Sequence, residues 1–383
     1  MDDSDPPADG PPVEELAPLF HVFDTEVEGD RLLYYGEPRV GRETFERRAW
    51  SLFREYGFEV RLTTRSETDP ITGVDLAGTR QVLVAKPRSV GVDGVPWTNV
   101  AFALLTVLST LFAGTQWYYV PIEGPLDLLA GWPFALAVLS VLGVHELGHY
   151  VASRFYGVEA SLPYFIPLPN VIGTMGAVIR MRGRMPDRKA LFDIGVAGPL
   201  AGLAATVVVT VIGLSLDPIA VPERALSSSA VAIEFNDPPL LQLIAELTGQ
   251  PLGYDDPTKQ VNPVVFAGWV GMFVTFLNLI PAGQLDGGHL VRAMLGERQA
   301  TLAAAVPGLL FALAGYLYYV REVAFNAVFL WVFWGLFTMG IAYAGPATPV
   351  RDDALDAKRI TVGLLTFGLG LLCFTPIPFE IVS

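Results

Sequence analysis

The sequence predicts an α-helical polytopic membrane protein with about six to seven transmembrane helices and a small α+β domain at its N-terminus. Two observations on composition predict this class: the chain is 52% apolar, and its mean hydropathy is +0.44. A third is that its long apolar runs have the length of about 20 residues that a bilayer-crossing helix needs. The first quarter of the chain lacks such runs and has the alternating pattern of strands.

The N-terminal part divides into a tail and a domain. Residues 1–18 hold six acidic residues and neither Lys nor Arg, which predicts an acidic disordered tail and is the reverse of a signal peptide. Residues 19–90 predict a small soluble α+β domain that either packs without chemistry or gates substrate access. Its predicted elements are a hairpin of Phe20–Phe23 with Arg31–Tyr35, a helix over Arg42–Tyr56, and strands at Phe58–Leu62 and Gln81–Ala85.

The membrane domain is predicted over residues 98–378. The fourth of its seven apolar segments is short and leads into a glycine-rich motif, so we expect it to be broken. The predicted spans are 98–119, 133–155, 190–214, 263–281, 300–320, 326–345 and 359–378.

Basic residues predict the orientation of these spans. The N-terminal 97 residues hold eleven Lys or Arg and the segment 156–189 holds five, whereas the loop 120–132 holds none. Because loops rich in Lys and Arg stay in the cytosol, we expect the N-terminal domain and segment 156–189 inside the cell. The protein is thus predicted to be integral to a membrane, the cell membrane being the expected one.

Charge and cysteine content exclude several classes. The formal net charge is −14, which argues against nucleic acid as a partner. Only 4 of the 25 basic residues are Lys, and an acidic surface that avoids Lys fits a halophilic organism, where salt screens self-repulsion. The single cysteine, Cys373, excludes an internal disulfide and a cysteine-type zinc site. It lies in an apolar run and is interpreted as a buried apolar residue.

The most specific motif is His145-Glu146-Leu147-Gly148-His149, which follows an uncharged apolar run in the second predicted span. On a helix this spacing puts His145 and His149 one turn apart on one face, within reach of one zinc ion. Ionisable residues at membrane depth are costly, so their presence indicates a functional site.

A catalytic zinc ion usually has three protein ligands, and two histidines leave one missing. The chain has two other histidines, His21 in the soluble domain and His289, so the third ligand is expected to be His289 or a carboxylate. Asp286 is the best carboxylate, because it directly follows an apolar span and a proline- and glycine-rich turn. Irregular backbone at membrane depth is tolerated where it lines a cavity. The alternative is that Asp286 merely caps a short helix.

Two further residues fit catalytic roles. Glu146 is rotated roughly 100° from His145 on the helix, so it points away from the ligand face but can reach a water molecule at the zinc ion as a general base. Asn278, upstream on the same span as Asp286, can donate a hydrogen bond to a developing oxyanion. A helix-packing amide is the alternative for Asn278.

Together these motifs resemble the site-2 protease family of intramembrane zinc metalloproteases, in its archaeal, cyanobacterial and chloroplast branch. The resemblance covers about residues 130–295 and includes the Ala197–Gly202 segment (Ala-Gly-Pro-Leu-Ala-Gly) in the third span. It implies that His145, His149 and Asp286 bind one catalytic Zn²⁺, that Glu146 is the general base and that Asn278 contacts substrate.

The resemblance also implies the fold around the site and the partner. Segment Gly173–Arg180 resembles the re-entrant β-hairpin of the family. An extended peptide could add as a strand to the longer segment Leu162–Met181; the alternative is that this segment only packs against the core as a re-entrant loop. The expected substrate is a membrane-spanning protein, cleaved in or near its transmembrane segment in regulated intramembrane proteolysis. Gly198 and Gly202 are expected to allow close helix packing. Asp193 is expected to stabilise the start of its helix, with a functional role left open by the resemblance, and His289 either supports Asp286 or is an ordinary polar residue.

Other classes of protein fit the motifs less well. A zinc transporter would string several ligand sets along a path, whereas this chain has one set with Glu146 beside it. A non-proteolytic membrane zinc-binding protein is the alternative that stays open. A soluble metalloprotease on an anchor is disfavoured by the apolar flanks of the motif, and a structural scaffold would make the matched motifs coincidental.

Overall fold

The computed structural model describes residues 10–68, 75–87, 95–182, 185–226 and 232–382. Within it the chain forms two compact units, residues 1–91 and residues 92–383. The predicted tail residues 1–9 lie outside the described residues, as do residues 69–74 and 88–90 of the predicted N-terminal domain.

The N-terminal unit is a four-stranded antiparallel sheet with one main helix. The strand order is β1-β2-β4-β3, and helix α2 begins at Arg42 as its amphipathic pattern predicts. Its elements are α1 (Val13–Leu16), β1 (Phe20–Glu28), β2 (Arg31–Pro38), α2 (Arg42–Glu55), β3 (Phe58–Thr68) and β4 (Asp75–Pro87).

The core of this unit extends into the predicted tail. Leu16, in the short helix α1, is fully buried and packs in one cluster with Phe20, Tyr34 and Phe45. The structure therefore differs from the expected disorder at residues 13–16, because Leu16 supplies apolar surface that the sheet buries. The acidic composition of the tail concealed this one anchoring residue.

The second unit is mainly helical, with short strand pairs between the helices. Two 3₁₀ segments, Pro125–Gly131 and Gly296–Arg298, lead into longer helices. The other elements are α3 (Trp97–Trp117), α4 (Trp132–Phe155), β5 (Glu159–Ala160), β6 (Tyr164–Pro167), β7 (Thr174–Val178), β8 (Met181–Arg182), β9 (Met185–Asp187), α5 (Arg188–Ser215), β10 (Ile219–Ala220), α6 (Glu223–Leu226), β11 (Ala232–Phe235), α7 (Pro239–Thr248), β12 (Lys259–Gln260), α8 (Pro263–Asn278), α9 (Asp286–Leu295), α10 (Gln299–Tyr319), α11 (Phe325–Ala344), β13 (Pro349–Arg351), α12 (Ala357–Leu372) and β14 (Phe379–Val382).

Five helical segments of the described chain are long and apolar enough to cross a membrane. The predicted spans 263–281 and 359–378 correspond instead to α8 and α12, each of 16 residues, or about 24 Å against a hydrocarbon core of about 30 Å. The count of six to seven spans therefore stays a prediction. The segments that meet both criteria are Trp97–Trp117, Pro125–Phe155, Arg188–Ser215, Asp286–Tyr319 and Phe325–Tyr343.

Helix α5 is the centre of the second unit and packs against α4, α8 and α9. The crossing with α4 is close, because a Cβ on Gly148 would lie 2.6 Å from the carbonyl oxygen of Ala197. The helix is capped by Asp187, whose Oδ1 accepts a hydrogen bond from the Ala190 N–H at 2.8 Å. Asp193 does not have the expected role at the helix start. Both of its carboxylate oxygens instead accept hydrogen bonds from Arg359 of α12, at 2.9 and 2.6 Å.

Strands β6 and β7 form an antiparallel hairpin that lies along α3. Three side chains of α3 donate hydrogen bonds to carbonyl oxygens of this segment: Asn99 to Leu162 at 2.9 Å, Ser109 to Gly173 at 2.5 Å and Trp117 to Val171 at 2.7 Å. The pairing fits the expected hairpin, and its re-entrant character stays a prediction.

Candidate metal centre and active site

His145 and His149 lie one turn apart on α4 with their rings directed to the same side. Their Nε2 atoms are 3.3 Å apart, and both residues are buried. Helix α4 is continuous from Trp132 to Phe155 through both histidines. The helical spacing therefore produces the paired imidazoles that the sequence motif predicts.

Asp286 reaches the two histidines from a distant part of the chain. Helix α8 ends at Asn278, the chain turns, and α9 begins at Asp286. The turn requires glycine after Asp286, because a Cβ on Gly287 would lie 2.1 Å from the Leu279 carbonyl oxygen. The carboxylate of Asp286 lies 3.2 Å from Nε2 of His145 through Oδ2 and 3.2 Å from Nε2 of His149 through Oδ1.

These three side chains fit one zinc ion. The two Nε2 atoms are 3.3 Å apart, and each lies 3.2 Å from a different carboxylate oxygen of Asp286. Zinc bonds of about 2.0 Å in tetrahedral geometry separate neighbouring ligand atoms by about 3.3 Å. Oδ2 of Asp286 is buried without a hydrogen-bond donor within the described part of the chain, which a cation would remedy. The set of two imidazoles and one carboxylate is also a known catalytic zinc set.

Helix α5 orients both imidazole rings. The carbonyl oxygen of Ile194 lies 2.8 Å from Nδ1 of His149, so Nδ1 donates and Nε2 keeps its lone pair for a metal. A Cβ on Gly198 would lie 2.0 Å from Nε2 of His149, and a Cβ on Gly202 would lie 2.8 Å from Nδ1 of His145. These two glycines, expected to serve helix packing, therefore make room for the rings.

Glu146 lies in the same cavity as the three metal-binding candidates. This cavity has a volume of about 150 Å³, and it is also lined by Asn278, His289 and residues 177–179 at the end of β7. Glu146 is only 6% exposed, and Ile179, just after β7, lines the same cavity. A carboxylate beside the candidate zinc position and next to a strand edge is suitably located to take a proton.

Asn278 and His289 differ in their relation to this cluster. The amide Nδ2 of Asn278 is 3.4 Å from Nε2 of His145, so Asn278 borders the site. His289 is buried, and its Nδ1 accepts a hydrogen bond of 3.4 Å from the backbone N–H of Ala347. It is not in the group of His145, His149 and Asp286 whose ligand atoms lie within 4.8 Å of one another. The remaining histidine, His21, belongs to the N-terminal unit.

Comparison with known proteins identifies the class. Residues 133–315 match Peptidase family M50, the family of the site-2 proteases, and this segment is a domain of that family. The match covers the predicted catalytic core from residue 133 onward and contains every residue of the cluster. With its apolar helices, it identifies the chain as an integral membrane protein.

Among curated relatives, the chain is 32% identical over 257 residues to the probable zinc metalloprotease EGY2, chloroplastic, of Arabidopsis thaliana. This alignment covers 66% of this chain and 43% of the relative. The chain is 33% identical over 255 residues to the probable zinc metalloprotease EGY1, chloroplastic, of the same plant, covering 65% and 43%. The chain thus spans less than half the length of these two relatives. No solved structure gave a significant match.

Proposed function

We propose that this protein is an intramembrane zinc metalloprotease that hydrolyses peptide bonds in or near transmembrane segments of membrane-protein substrates. The observation that carries the proposal is the triangle of His145, His149 and Asp286 with Glu146 in the same cavity, inside helices long enough to span a membrane. The family match and the names of the relatives, probable zinc metalloproteases, support it.

The roles of the residues follow from their chemistry. His145, His149 and Asp286 would hold the ion, which as a Lewis acid activates water and polarises a peptide carbonyl. Glu146 accepts the proton of the attacking water, since its carboxylate lies in the same cavity as the three ligand candidates. Asn278 donates its amide hydrogen to the substrate carbonyl oxygen as negative charge develops there.

The substrate would bind as an extended strand along β7. A helical segment hides its peptide carbonyls in its own hydrogen bonds, so it must unwind before hydrolysis. In the described chain, β7 pairs on one side with β6 and with no other strand. Its last residues line the cavity beside Glu146. A peptide that adds to the open edge would pass the catalytic carboxylate, as in other cases of β-augmentation.

Location and orientation are part of the same proposal. The distribution of basic residues supports a position in the cell membrane with the N-terminal domain and the active site toward the cytosol. A site in the inner half of the membrane has a short path for water. The substrate class is a membrane-spanning protein, in keeping with regulated intramembrane proteolysis.

The test is zinc-dependent cleavage by the purified full-length protein in liposomes with a designed single-span substrate. We expect cleavage inside or beside the span, loss of cleavage after chelation, and recovery after addition of Zn²⁺. His145→Ala should abolish cleavage, whereas His21→Ala, a matched change in the N-terminal unit, should not. Cleavage that survives chelation would contradict the proposal, and tight zinc binding without any cleavage would favour a non-proteolytic zinc-binding protein or transporter.

A further inference from the structure

We propose that Arg188 is a positioning residue that holds Asp286 in the metal-binding triangle by fixing the far end of α9 to α5. This inference rests on the proposed zinc site, and Arg188 itself does not contact the site. In the sequence, Arg188 is one of the basic residues before the third predicted span that the topology prediction uses, and it belongs to the Pro186-Asp187-Arg188 segment that resembles the family branch.

The first step is the contact between Arg188 and the end of α9. Nε of Arg188 donates to the carbonyl oxygen of Ala293 at 2.7 Å, and Nη2 donates to that of Met294 at 2.9 Å. The last four carbonyls of a helix lack partners within it. The rigid fork of a guanidinium can satisfy two of them at a defined distance and angle. Arg188 is only 9% exposed, so these bonds are shielded from water.

The second step is that α9 is short and has no cap at its other end. It has 10 residues, from Asp286 to Leu295, and the residue before it, Leu285, makes no side-chain capping bond. A helix of this length is about 15 Å long. Any shift of α9 along its axis would move the Asp286 carboxylate by as much as the helix moves. Metal–ligand bond lengths tolerate a change of only about 0.2 Å.

The third step is that α5 orients the other two ligand candidates. Arg188 is the first residue of α5, and the Ile194 carbonyl that orients His149 lies less than two turns further on. Leu191 and Ile194 of α5 share a buried apolar cluster with Leu290 and Ala293 of α9. Arg188 thus connects the helix that orients the histidines to the helix that carries the carboxylate.

The ion pairs around Arg188 do not explain its burial. Its nearest carboxylate, Asp352, is 3.7 Å from Nε and 44% exposed, and such a solvent-screened pair contributes little. Arg292, on α9 itself, binds the same carboxylate through two hydrogen bonds of 3.3 and 3.4 Å. It has no such bond to a carbonyl oxygen among the hydrogen bonds found in the described chain. Arg292 is therefore a matched control for charge and location.

The experiment measures zinc affinity of the purified full-length protein by competition with a chelator, together with the visible spectrum of its Co²⁺ form. Arg188→Met should weaken zinc binding by about 10- to 100-fold, as loss of supporting contacts around a metal site typically does, and should change the Co²⁺ spectrum. Arg188→Lys, which keeps the positive charge but not the two-pronged guanidinium, should bind zinc with an affinity between those of the parent and Arg188→Met. Arg292→Met should match the parent in both measurements.

Parent-like affinity and spectrum in Arg188→Met would overturn the inference, and so would an equal loss in Arg292→Met. If Arg188→Met fails to fold, Arg188→Lys decides: a weakened affinity with a changed spectrum supports the inference, and parent values overturn it. Failure of the proposed function would be seen in the parent protein itself, which would then bind no zinc or cleave no substrate. It is therefore distinguishable from failure of the inference on Arg188. A parent that binds zinc and cleaves, beside an Arg188→Met variant with normal affinity, would refute only this inference.

Discussion

The imidazole rings of His145 and His149 occupy the space where side chains of α5 would begin if residues 198 and 202 were alanine. The Ala197–Gly202 motif can be read from the sequence, but the sequence does not show why glycine is needed at positions 198 and 202. Glycine in a membrane helix ordinarily indicates helix packing. Here that role falls to Gly148, while Gly198 and Gly202 lie against the rings.

A pair of glycines on α5 tests this interpretation. Gly198→Ala should displace the ring of His149, because the new Cβ would lie 2.0 Å from Nε2, and bound zinc should fall by at least 10-fold. Gly195→Ala is the matched control, since its nearest neighbour outside the helix is the Cβ of His289 at an ordinary 3.5 Å. Metal analysis of both variants checks the prediction, and equal zinc content in the two would contradict it.

The carboxylate ligand gives a second prediction. Asp286→Ala removes one corner of the triangle, so zinc content should fall by 10-fold or more, a loss at least as large as that for a supporting residue. Asp352→Ala, a change of the same type at an exposed aspartate, should leave zinc content unchanged. Stoichiometric zinc in Asp286→Ala would exclude Asp286 as a ligand.

Sequence motifs predicted the residues that the structure brings together, but not what holds them there. His145 and His149 are set by helical spacing, and Asp286 is marked by its position after an apolar span. The Ile194 carbonyl that orients His149 and the Arg188 fork that binds α9 could not be predicted, because backbone acceptors and contacts over 105 residues have no sequence pattern. Such contacts depend on how the helices pack.

At the scale of elements, the β6–β7 hairpin and the start of α9 also show what the sequence pattern does not predict. The hairpin was expected from the family resemblance, yet its attachment to α3 through Asn99 and Trp117 is a tertiary feature. The predicted span 300–320 omitted α9, because the Asp-Gly-Gly-His start of that helix lowers the local hydropathy. Hydropathy detects continuous apolar runs, whereas α9 carries the polar cavity residues Asp286 and His289 in its first turns.

The edge of β7 yields a prediction about substrate binding. In a Cys373→Ser, Glu146→Gln background, Val178→Cys should form a disulfide with a substrate cysteine near the scissile bond, because Val178 lines the cavity and is 51% exposed. Met175→Cys is the control on the same strand; it is 68% exposed but does not line the cavity. Gel analysis of crosslinked product checks the result. Equal yields at both positions would argue against strand addition beside the site.

At the scale of the whole molecule, the net charge of −14 predicts that the stability of the protein depends on salt concentration. We expect the temperature of unfolding in detergent to rise as KCl increases from dilute to molar concentration, because salt screens repulsion between acidic groups. An uncharged osmolyte at the same osmolality is the control for general exclusion from the surface. Equal stability and activity in dilute buffer would contradict salt adaptation.

The central claim is that a zinc site and its carboxylate base form one hydrolytic centre within the membrane unit. The most direct measurement compares the parent with Glu146→Ala for both zinc content and cleavage of a single-span substrate in liposomes. Since Glu146 borders the metal triangle without belonging to it, the variant should retain zinc and lose cleavage. Turnover at the parental rate in Glu146→Ala would contradict the account.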